Sequence, residues 1–286
     1  MPLRLVIFDF DGTLTDIGQE GAQFEAAYEG MVLRIFGEDR REAWRAAIAG
    51  VRADAPELGW DMGTGAAAPG DADPYIAATL ALGRFCTELD LPTLAGEDPK
   101  ARKTRGELGG ALYQAAYGAL HPAFRPDTVA VLEAAMAAVS FVRVVTNSST
   151  AKVTEKLRPL ALTRPIGVAG DARKFEISEP TTRGFGIGGV GSVWQVPGLR
   201  RPIQPRRGRY FDVLAAVWQD TGTTPAETLV VGDIVELDLV LPGLLGANVH
   251  YVARDRTHSY ESAILRAFGE RATMGRALSD VLSRLP

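Results

Sequence analysis

Short apolar runs alternate along this chain with segments of helical periodicity, and this alternation restricts the possible folds more than any other feature of the sequence. The first run, from Leu5 to Phe8, ends in acidic and glycine residues, which is typical of a buried strand that enters a loop. Strands of this kind separated by helices predict a parallel sheet covered by helices on both faces. Further strands are predicted at 141–146, 165–170, 228–232 and 247–252, and helices at 127–139, 152–157, 210–222 and 236–246.

Residues 18–125 have a different character, because they are rich in Ala, Glu and Arg and show helical patterns without a convincing strand. The Gly, Ala, Pro and Asp residues at 63–74 predict a loop. We therefore expect an α/β protein with a Rossmann-like parallel sheet core, formed by residues 1–17 and 126–286. A helical cap domain at 18–125 interrupts that core after its first strand. One continuous mixed domain is the alternative.

Composition excludes several classes of protein. Hydrophobic residues make up 46% and charged residues 23%, as in an ordinary soluble globular protein. The net charge is −4 without a basic block, which argues against nucleic acid as the main partner. The single cysteine, Cys86, cannot form an internal disulfide. Since neither a membrane-spanning apolar run nor a signal peptide pattern is present, we expect a cytoplasmic protein that binds no membrane. The sequence predicts no particular oligomeric state.

Two carboxylates follow the first predicted strand. Asp9 and Asp11 are two residues apart at its carboxyl end, which is where ligands bind in open α/β sheets. Side chains at this spacing in an extended segment point the same way, and Gly12 then permits a tight turn. Two neighbouring carboxylates repel unless a cation or a shared proton relieves them, and such oxygen ligands suit Mg²⁺. An ordinary Asx turn is the alternative for Asp-x-Asp alone.

The full string hhhhDFDGTLTD, where h is an apolar residue, resembles the first signature of the haloacid-dehalogenase-like (HAD) hydrolases, the aspartate-nucleophile phosphatases. Later segments resemble further signatures of that superfamily, in the same order. The predicted strand FVRVV is followed by Thr146 and Asn147, and the strand LVVG is followed by Asp233 and Asp238. The helical segment at 18–125 stands where this superfamily has its cap.

The resemblance implies roles for four aspartates, in catalysis or in metal binding. Asp9 would attack phosphorus and form an aspartyl-phosphate, which splits a difficult displacement into two easier steps. Asp11 would protonate the leaving oxygen and then accept a proton from the hydrolytic water. Mg²⁺ would bridge Asp9, the backbone carbonyl of Asp11 and Asp233. Asp238 would complete the metal cluster directly or through water.

The resemblance also implies phosphate-binding groups at two of these strand ends. Thr146 would donate a hydrogen bond to a phosphoryl oxygen, with help from backbone N–H groups near Gly12 and Asn147. A helix-capping role is the ordinary alternative for Thr146.

The sequence departs from the superfamily at the basic residue that holds the phosphate. That residue is usually a lysine shortly before the helix that leads into the Gly-Asp strand, and no lysine occurs after Lys174. The segment RRPIQPRRGRY makes Arg207, or its neighbour Arg206, the candidate by position. Residues 171–207, rich in Gly, Pro and Arg, form an irregular segment between two regular α/β units. Lys174 is the competing candidate if this irregular segment folds back over the site. We favour Arg207, although arginine does not simply replace lysine at a phosphate.

These interpretations predict a Mg²⁺-dependent phosphomonoester hydrolase that acts on a small phosphate ester. A phosphomutase of the same architecture is one alternative, and a non-catalytic protein that binds a phosphorylated ligand is another. A haloacid dehalogenase is less consistent with the sequence, because attack on carbon requires neither the Asp11 carboxyl nor a metal held by Asp233 and Asp238.

Overall fold

The computed structural model describes residues 2–61, 63–89, 105–121, 123–185 and 189–286. Its strands within these residues are β1 (Leu5–Phe8), β2 (Gly59–Asp61), β3 (Ala66–Pro69), β4 (Phe141–Val145), β5 (Gly167–Ala169), β6 (Thr228–Gly232), β7 (Asn248–Val252) and β8 (Ala272–Gly275). Six of them form one sheet in the order β5–β4–β1–β6–β7–β8, with parallel pairing throughout. The predicted parallel sheet is confirmed, and β8 extends it beyond the strands found in the sequence.

Helices cover both faces of this sheet. In chain order the helices of the described residues are α1 (Ile17–Phe36), α2 (Arg41–Asp54), α3 (Pro74–Glu88), α4 (Arg105–Gly118), α5 (Thr128–Ala138), α6 (Thr150–Leu157), α7 (Gly208–Thr221), α8 (Val240–Leu244) and α9 (Ser259–Phe268). Because side chains alternate along a strand, Leu5 and Ile7 pack with α7, α8 and α9, whereas Val6 and Phe8 pack with α5 and α6. None of the described helices is both long and apolar enough to cross a membrane.

The strand order places β1 between β4 and β6. Phe8 is in register with Val144 on β4 and with Val231 on β6, so these three strands end at nearly the same level. The chain runs from β1 to β4 and β5 on one side and then returns to β6 on the other side of β1. Such a change of direction opens a crevice at the carboxyl ends of the strands, where open α/β sheets bind their ligands.

The chain divides into two compact units. One comprises Met1–Asp16, Asp61–Ala68 and Phe124–Pro286 and contains the six-stranded sheet; the other comprises Ile17–Trp60 and Pro69–Ala123. The second unit has its own apolar core, in which Phe24, Tyr28 and Trp44 pack with residues of α3 and α4. The boundaries predicted for the cap, 18–125, stay a prediction.

The expectation that residues 18–125 contain no strand is wrong. β2 and β3 pair as a two-stranded sheet, and β3 lies inside the stretch predicted as a loop. The sequence of this stretch, Ala-Ala-Ala-Pro, has neither β-branched residues nor alternating polarity, so a sequence pattern gives no indication of a strand.

Candidate active site

Asp9 lies directly after β1 and is buried. Its backbone N–H donates to the carbonyl of Val231 at 2.9 Å, which continues the hydrogen bonding between β1 and β6 beyond the strand. Its Oδ1 accepts a hydrogen bond from Lys174 Nζ at 2.6 Å, and its Oδ2 lies 3.4 Å from the donor Thr13 Oγ1. Asp9 is therefore a buried carboxylate with a strong ionic contact at one oxygen and a long, weak hydrogen bond at the other.

Asp11 lies two residues further along and has different neighbours. Its side chain is 23% exposed, against 11% for Asp9. Its Oδ2 accepts a hydrogen bond from Ser148 Oγ at 2.8 Å, and its Oδ1 is 4.0 Å from Lys156 Nζ. Asp11 is therefore partly accessible to solvent, whereas Asp9 is buried. The sequence interpretation missed Ser148, although its place in the loop after β4 was the signal available.

Asp233 and Asp238 follow β6 and bring two more buried carboxylates to Asp9. One carboxylate oxygen from each of the three residues lies within 4.8 Å of the others. Thr13 Oγ1 donates to Asp233 Oδ1 at 3.0 Å, whereas the buried Asp233 Oδ2 has no hydrogen-bond partner among the described residues. The Asp11 side chain is not part of this group, so its predicted contribution to a metal, through its backbone carbonyl, stays a prediction.

A five-residue π-helical turn, Val235–Leu239, points Asp238 back toward the sheet. Asp238 Oδ2 accepts from the Ile234 N–H at 2.9 Å, and Gly232 allows the close approach. A Cβ at Gly232 would lie 2.3 Å from Asp238 Cβ. The glycine of the Gly-Asp motif is thus explained by the close approach of Asp238 at the end of β6, which leaves no room for a side chain at position 232.

Gly12 packs against Asp233. Its φ of +85° is left-handed, and an added Cβ would lie 2.4 Å from Asp233 Oδ2. Arg125 fixes the loop by donating two hydrogen bonds to the Gly12 carbonyl, at 2.7 and 3.2 Å. The Gly12 N–H donates to Thr15 Oγ1 at 3.0 Å, so it already has an acceptor within its own loop. A phosphate contact by Gly12 stays a prediction.

Lys174 is the cation at the centre of this site. Its side chain is 1% exposed, and Nζ donates to Asp9 Oδ1 at 2.6 Å and to Asp238 Oδ1 at 2.9 Å. The irregular segment reaches the site through a tight turn in which Asp171 and Arg173 have left-handed φ angles of 52° and 43°. The ring of Tyr210 on α7 lies 5.4 Å from Nζ. Lys174 is thus held between the ends of β1 and β6.

The expectation that Arg207 is the cation beside the carboxylates is not met. Arg207 is buried, but its guanidinium donates to the carbonyls of Phe175 at 3.1 Å and Ala67 at 2.7 Å. Arg206 pairs with Glu179 at 2.6 Å. The reason is that the irregular segment folds back over the strand ends, so that Lys174 and not Arg207 lies beside Asp9 and Asp238. No local sequence pattern predicts this arrangement.

Thr146 and Asn147 shape the loop after β4. The buried Thr146 Oγ1 accepts from the Ser148 N–H at 3.1 Å, and Asn147 Oδ1 accepts from the Lys174 N–H at 2.7 Å. Asn147 therefore attaches the irregular segment to the end of β4. The phosphate contacts predicted for both residues stay predictions.

The charges of this site are unbalanced. Two of the three buried carboxylates, Asp9 and Asp238, pair with Lys174, whereas the third, Asp233, is attracted by Arg254, which itself pairs with Glu261. Burial raises the pKa of Asp9 to about 7, an effect that Lys174 opposes and Asp238 reinforces. Burial, followed by repulsion from Asp238 and Asp9, also raises the pKa of Asp233. Burial would lower the pKa of Lys174, but the Asp238 and Asp9 carboxylates together raise it. The excess of negative charge, with the unpartnered Asp233 Oδ2, fits a divalent cation that prefers oxygen ligands.

Two solved structures align with the whole chain. A predicted phosphoglycolate phosphatase from Haemophilus somnus 129PT is 16% identical, with a TM-score of 0.54 over 99% of this chain and 97% of that one. YfnB from Bacillus subtilis, described as a HAD-hydrolase and crystallised with magnesium, is 14% identical, with a TM-score of 0.52 over 100% of this chain and 99% of that one. The chain has the HAD-like fold. The three strand-end motifs predicted this fold, and the prediction is confirmed.

A third structure that aligns with the chain is the L-2-haloacid dehalogenase from Xanthobacter autotrophicus, at 20% identity and a TM-score of 0.47 over 98% of this chain and 97% of that one. No family model matches the chain, and no curated protein matches it in sequence. The likeness to the phosphatase and to YfnB establishes the fold alone, and one fold supports several reactions. The reaction of this HAD-fold protein must therefore be argued from its own site residues.

Proposed function

We propose that this HAD-fold protein is a Mg²⁺-dependent phosphomonoester hydrolase that acts on a small phosphorylated metabolite through an aspartyl-phosphate. The observation that supports this most strongly is the pairing of two aspartates with different surroundings after β1. Asp9 is buried against Lys174, whereas Asp11 is partly exposed and hydrogen-bonded to Ser148. A buried nucleophile beside a solvent-accessible proton carrier is what two-step phosphoryl transfer requires.

In the first step, an Asp9 carboxylate oxygen forms a bond to phosphorus while the bond from phosphorus to the ester oxygen breaks. The ester oxygen takes the proton of Asp11 and leaves as an alcohol. In the second step, water attacks the phosphorus of the aspartyl-phosphate and gives a proton to the Asp11 carboxylate, while the bond from phosphorus to the Asp9 oxygen breaks. Inorganic phosphate leaves, and both aspartates return to their starting forms.

Lys174 is the residue that we assign to the phosphate, in place of Arg207. Its ammonium group already lies 2.6 Å from the carboxylate oxygen Asp9 Oδ1, so a phosphoryl group that approaches Asp9 also approaches this charge. A fixed cation at the point where negative charge accumulates stabilises the transition state, and burial strengthens that effect. Arg207 donates to main-chain carbonyls, and its predicted contact with phosphate has no support in these hydrogen bonds.

Asp9, Asp233 and Asp238 are the side chains that would hold Mg²⁺, with the Asp11 carbonyl as the further ligand implied by the resemblance. The bound ion would shield the Asp9 carboxylate from the negative charge of the phosphate that it attacks. Asp233 Oδ2 is the oxygen most available to it, because this buried atom accepts no hydrogen bond from the part of the chain that the structure describes.

The test is a screen of phosphorylated metabolites with Mg²⁺, in which Asp9→Asn is the blank and Asp39→Asn, at an exposed carboxylate, is the control. We expect hydrolysis by the wild-type and control proteins, with a loss of about three decades or more in Asp9→Asn. Borohydride reduction of the acid-quenched reaction should modify Asp9, since acyl phosphates are reducible. Hydrolysis that survives Asp9→Asn would refute the covalent mechanism.

Three further measurements on the same proteins distinguish the alternatives. A phosphoenzyme that passes its phosphoryl group to a sugar hydroxyl in preference to water would indicate a phosphomutase. Release of halide from a 2-haloacid would indicate a dehalogenase. Tight binding of a phosphorylated compound without turnover would indicate a binding protein.

A further inference from the structure

The loop after β4 places a hydroxyl group on Asp11. Ser148 Oγ donates to Asp11 Oδ2 at 2.8 Å, across 137 residues of sequence. The other oxygen, Asp11 Oδ1, has Lys156 Nζ at 4.0 Å. The two oxygens of this carboxyl group therefore have different environments.

The backbone of Ser148 is fixed from both sides. Its N–H donates to Thr146 Oγ1 at 3.1 Å, and its carbonyl accepts from the Asp171 N–H at 2.9 Å. Gly170 packs against the same loop so closely that an added Cβ would lie 2.6 Å from the Ser148 carbonyl oxygen. The serine hydroxyl is therefore presented by a loop that cannot shift without breaking several contacts.

We propose that Ser148 is a positioning residue for proton transfer by Asp11, an inference that rests on the phosphatase function proposed above. Its hydroxyl donates to Oδ2, which acts as the carbonyl-like oxygen, and the proton that Asp11 gives to the leaving group is carried by the other oxygen, Oδ1. As the bond from phosphorus to the ester oxygen breaks, the proton passes from Asp11 Oδ1 to that oxygen. The hydrogen bond from Ser148 persists throughout, so Ser148 neither gains nor loses a proton.

This role makes a prediction that depends on the leaving group. A basic leaving group needs a well-placed proton, whereas a stable anion leaves without one. Phenyl phosphate and 4-nitrophenyl phosphate have nearly the same shape, but phenolate is much more basic than nitrophenolate. Since kcat/KM reports the steps up to departure of the first product, it isolates this proton transfer from hydrolysis of the aspartyl-phosphate.

The experiment compares kcat/KM for both esters in wild-type protein and in Ser148→Ala. Positioned acid catalysis contributes about 10²–10⁴-fold, and loss of part of it should lower kcat/KM for phenyl phosphate about tenfold or more. For 4-nitrophenyl phosphate we expect a loss below about threefold, because little proton transfer is required. Ser148→Thr, which keeps a hydroxyl, should restore most of the lost activity toward phenyl phosphate.

Ser149→Ala is the matched control, because the Ser149 side chain makes no capping hydrogen bond to α6, and it should leave both values unchanged. Equal losses for the two esters in Ser148→Ala, or no rescue by Ser148→Thr, would overturn the positioning role alone. Absence of Asp9-dependent hydrolysis in the wild-type protein would overturn the proposed function itself. The two failures are therefore distinguishable.

Discussion

Replacing Lys174 by Met tests the electrostatic organisation of the site. Methionine has nearly the length of the aliphatic part of lysine but lacks the ammonium group. Among the described residues, this is the only ammonium group within 3 Å of Asp9 and Asp238. Because both carboxylates are buried, water cannot replace the lost contacts. The variant therefore leaves negative charge uncompensated where its electrostatic cost is high.

The magnitude follows from these contacts. Two charge-assisted hydrogen bonds, at 2.6 and 2.9 Å, disappear together. Breaking a buried ion pair from one side typically costs about 3–5 kcal/mol, because the remaining charge stays buried and unpaired. We expect a loss of that size in the free energy of unfolding at pH 8, measured in EDTA so that no metal compensates.

The loss should be smaller at pH 5. Burial already raises the pKa of Asp9 to about 7 in the presence of Lys174, and removal of the lysine raises it further. A carboxyl group with a raised pKa in the folded state binds more protons there than in the unfolded chain. Its contribution to stability is full below about pH 4 and is lost as the pH rises through the folded-state pKa. At pH 5 the Asp9 carboxyl group of the variant is therefore protonated. The remaining loss in the free energy of unfolding is about 1–3 kcal/mol, because hydrogen bonds from Lys174 are still missing.

Urea unfolding followed by tryptophan fluorescence measures both values, with Lys152→Met, at an exposed lysine, as the control. A loss under about 1 kcal/mol at pH 8, or equal losses at both pH values, would show that Lys174 is not the counter-charge of this site. The same variant should abolish phosphatase activity, whereas Arg207→Met should keep a substantial part of it. The opposite result would restore Arg207 as the phosphate-binding residue.

Three further predictions concern the metal site, the turn and one pair of threonines. Mg²⁺ at about 100 times its Kd should stabilise the wild-type protein by about 2.7 kcal/mol in thermal unfolding; Asp233→Asn should remove this effect and Asp39→Asn should not. Gly12→Ala should cost more than the ~1–2 kcal/mol of a left-handed alanine, because its Cβ also meets Asp233 Oδ2 at 2.4 Å; a smaller loss in urea unfolding would contradict this. Burial would raise the pKa of Asp212, but four hydrogen bonds from Thr181 and Thr182 lower it to about 2, so Asp212→Asn should destabilise by about 2–3 kcal/mol at pH 7. Because a lowered pKa stabilises only above the unfolded value, this difference from wild-type protein should shrink as the pH falls from about 4 toward 2, and a constant difference would refute it.

The parallel sheet and the residues at its strand ends were predictable because the information is local. The runs that become β1, β4 and β6 are mostly apolar, with Arg143 inside β4 and Thr228 at the start of β6, and each is followed at once by polar residues. Parallel strands bring their carboxyl ends to one edge, so the strand pattern placed Asp9 and Asp233 at the same edge of the sheet, and the family resemblance of their motifs brought them together in one site.

The cation of the site was not predictable in the same way. Lys174 belongs to an irregular segment, and its position depends on an Asn147 contact and on two left-handed residues, Asp171 and Arg173. Six arginines lie in the same segment, 171–207, and no local pattern distinguishes the one lysine from them as the cation of the site. The pairing of β2 with β3 was missed for a related reason, since it depends on hydrogen bonds between backbones and not on side-chain pattern.

The site also bears on whether the attacked atom is phosphorus or carbon. Displacement of halide from carbon by a carboxylate needs one buried nucleophile and no proton donor, because halide leaves as a stable anion. In that reaction the Asp11 carboxyl held by Ser148 would have no use. Burial of Asp233 Oδ2 without a donor from the described residues would lower the stability of the fold by about 1–3 kcal/mol or more and would serve no step of that reaction. Phosphoryl transfer gives both groups a function, since an alkoxide needs a proton and a phosphate next to Asp9 needs a cation. Asp233→Asn therefore separates the two reactions: it should abolish hydrolysis of phosphate esters, whereas a carbon-directed enzyme would tolerate the loss of that charge or gain stability from it.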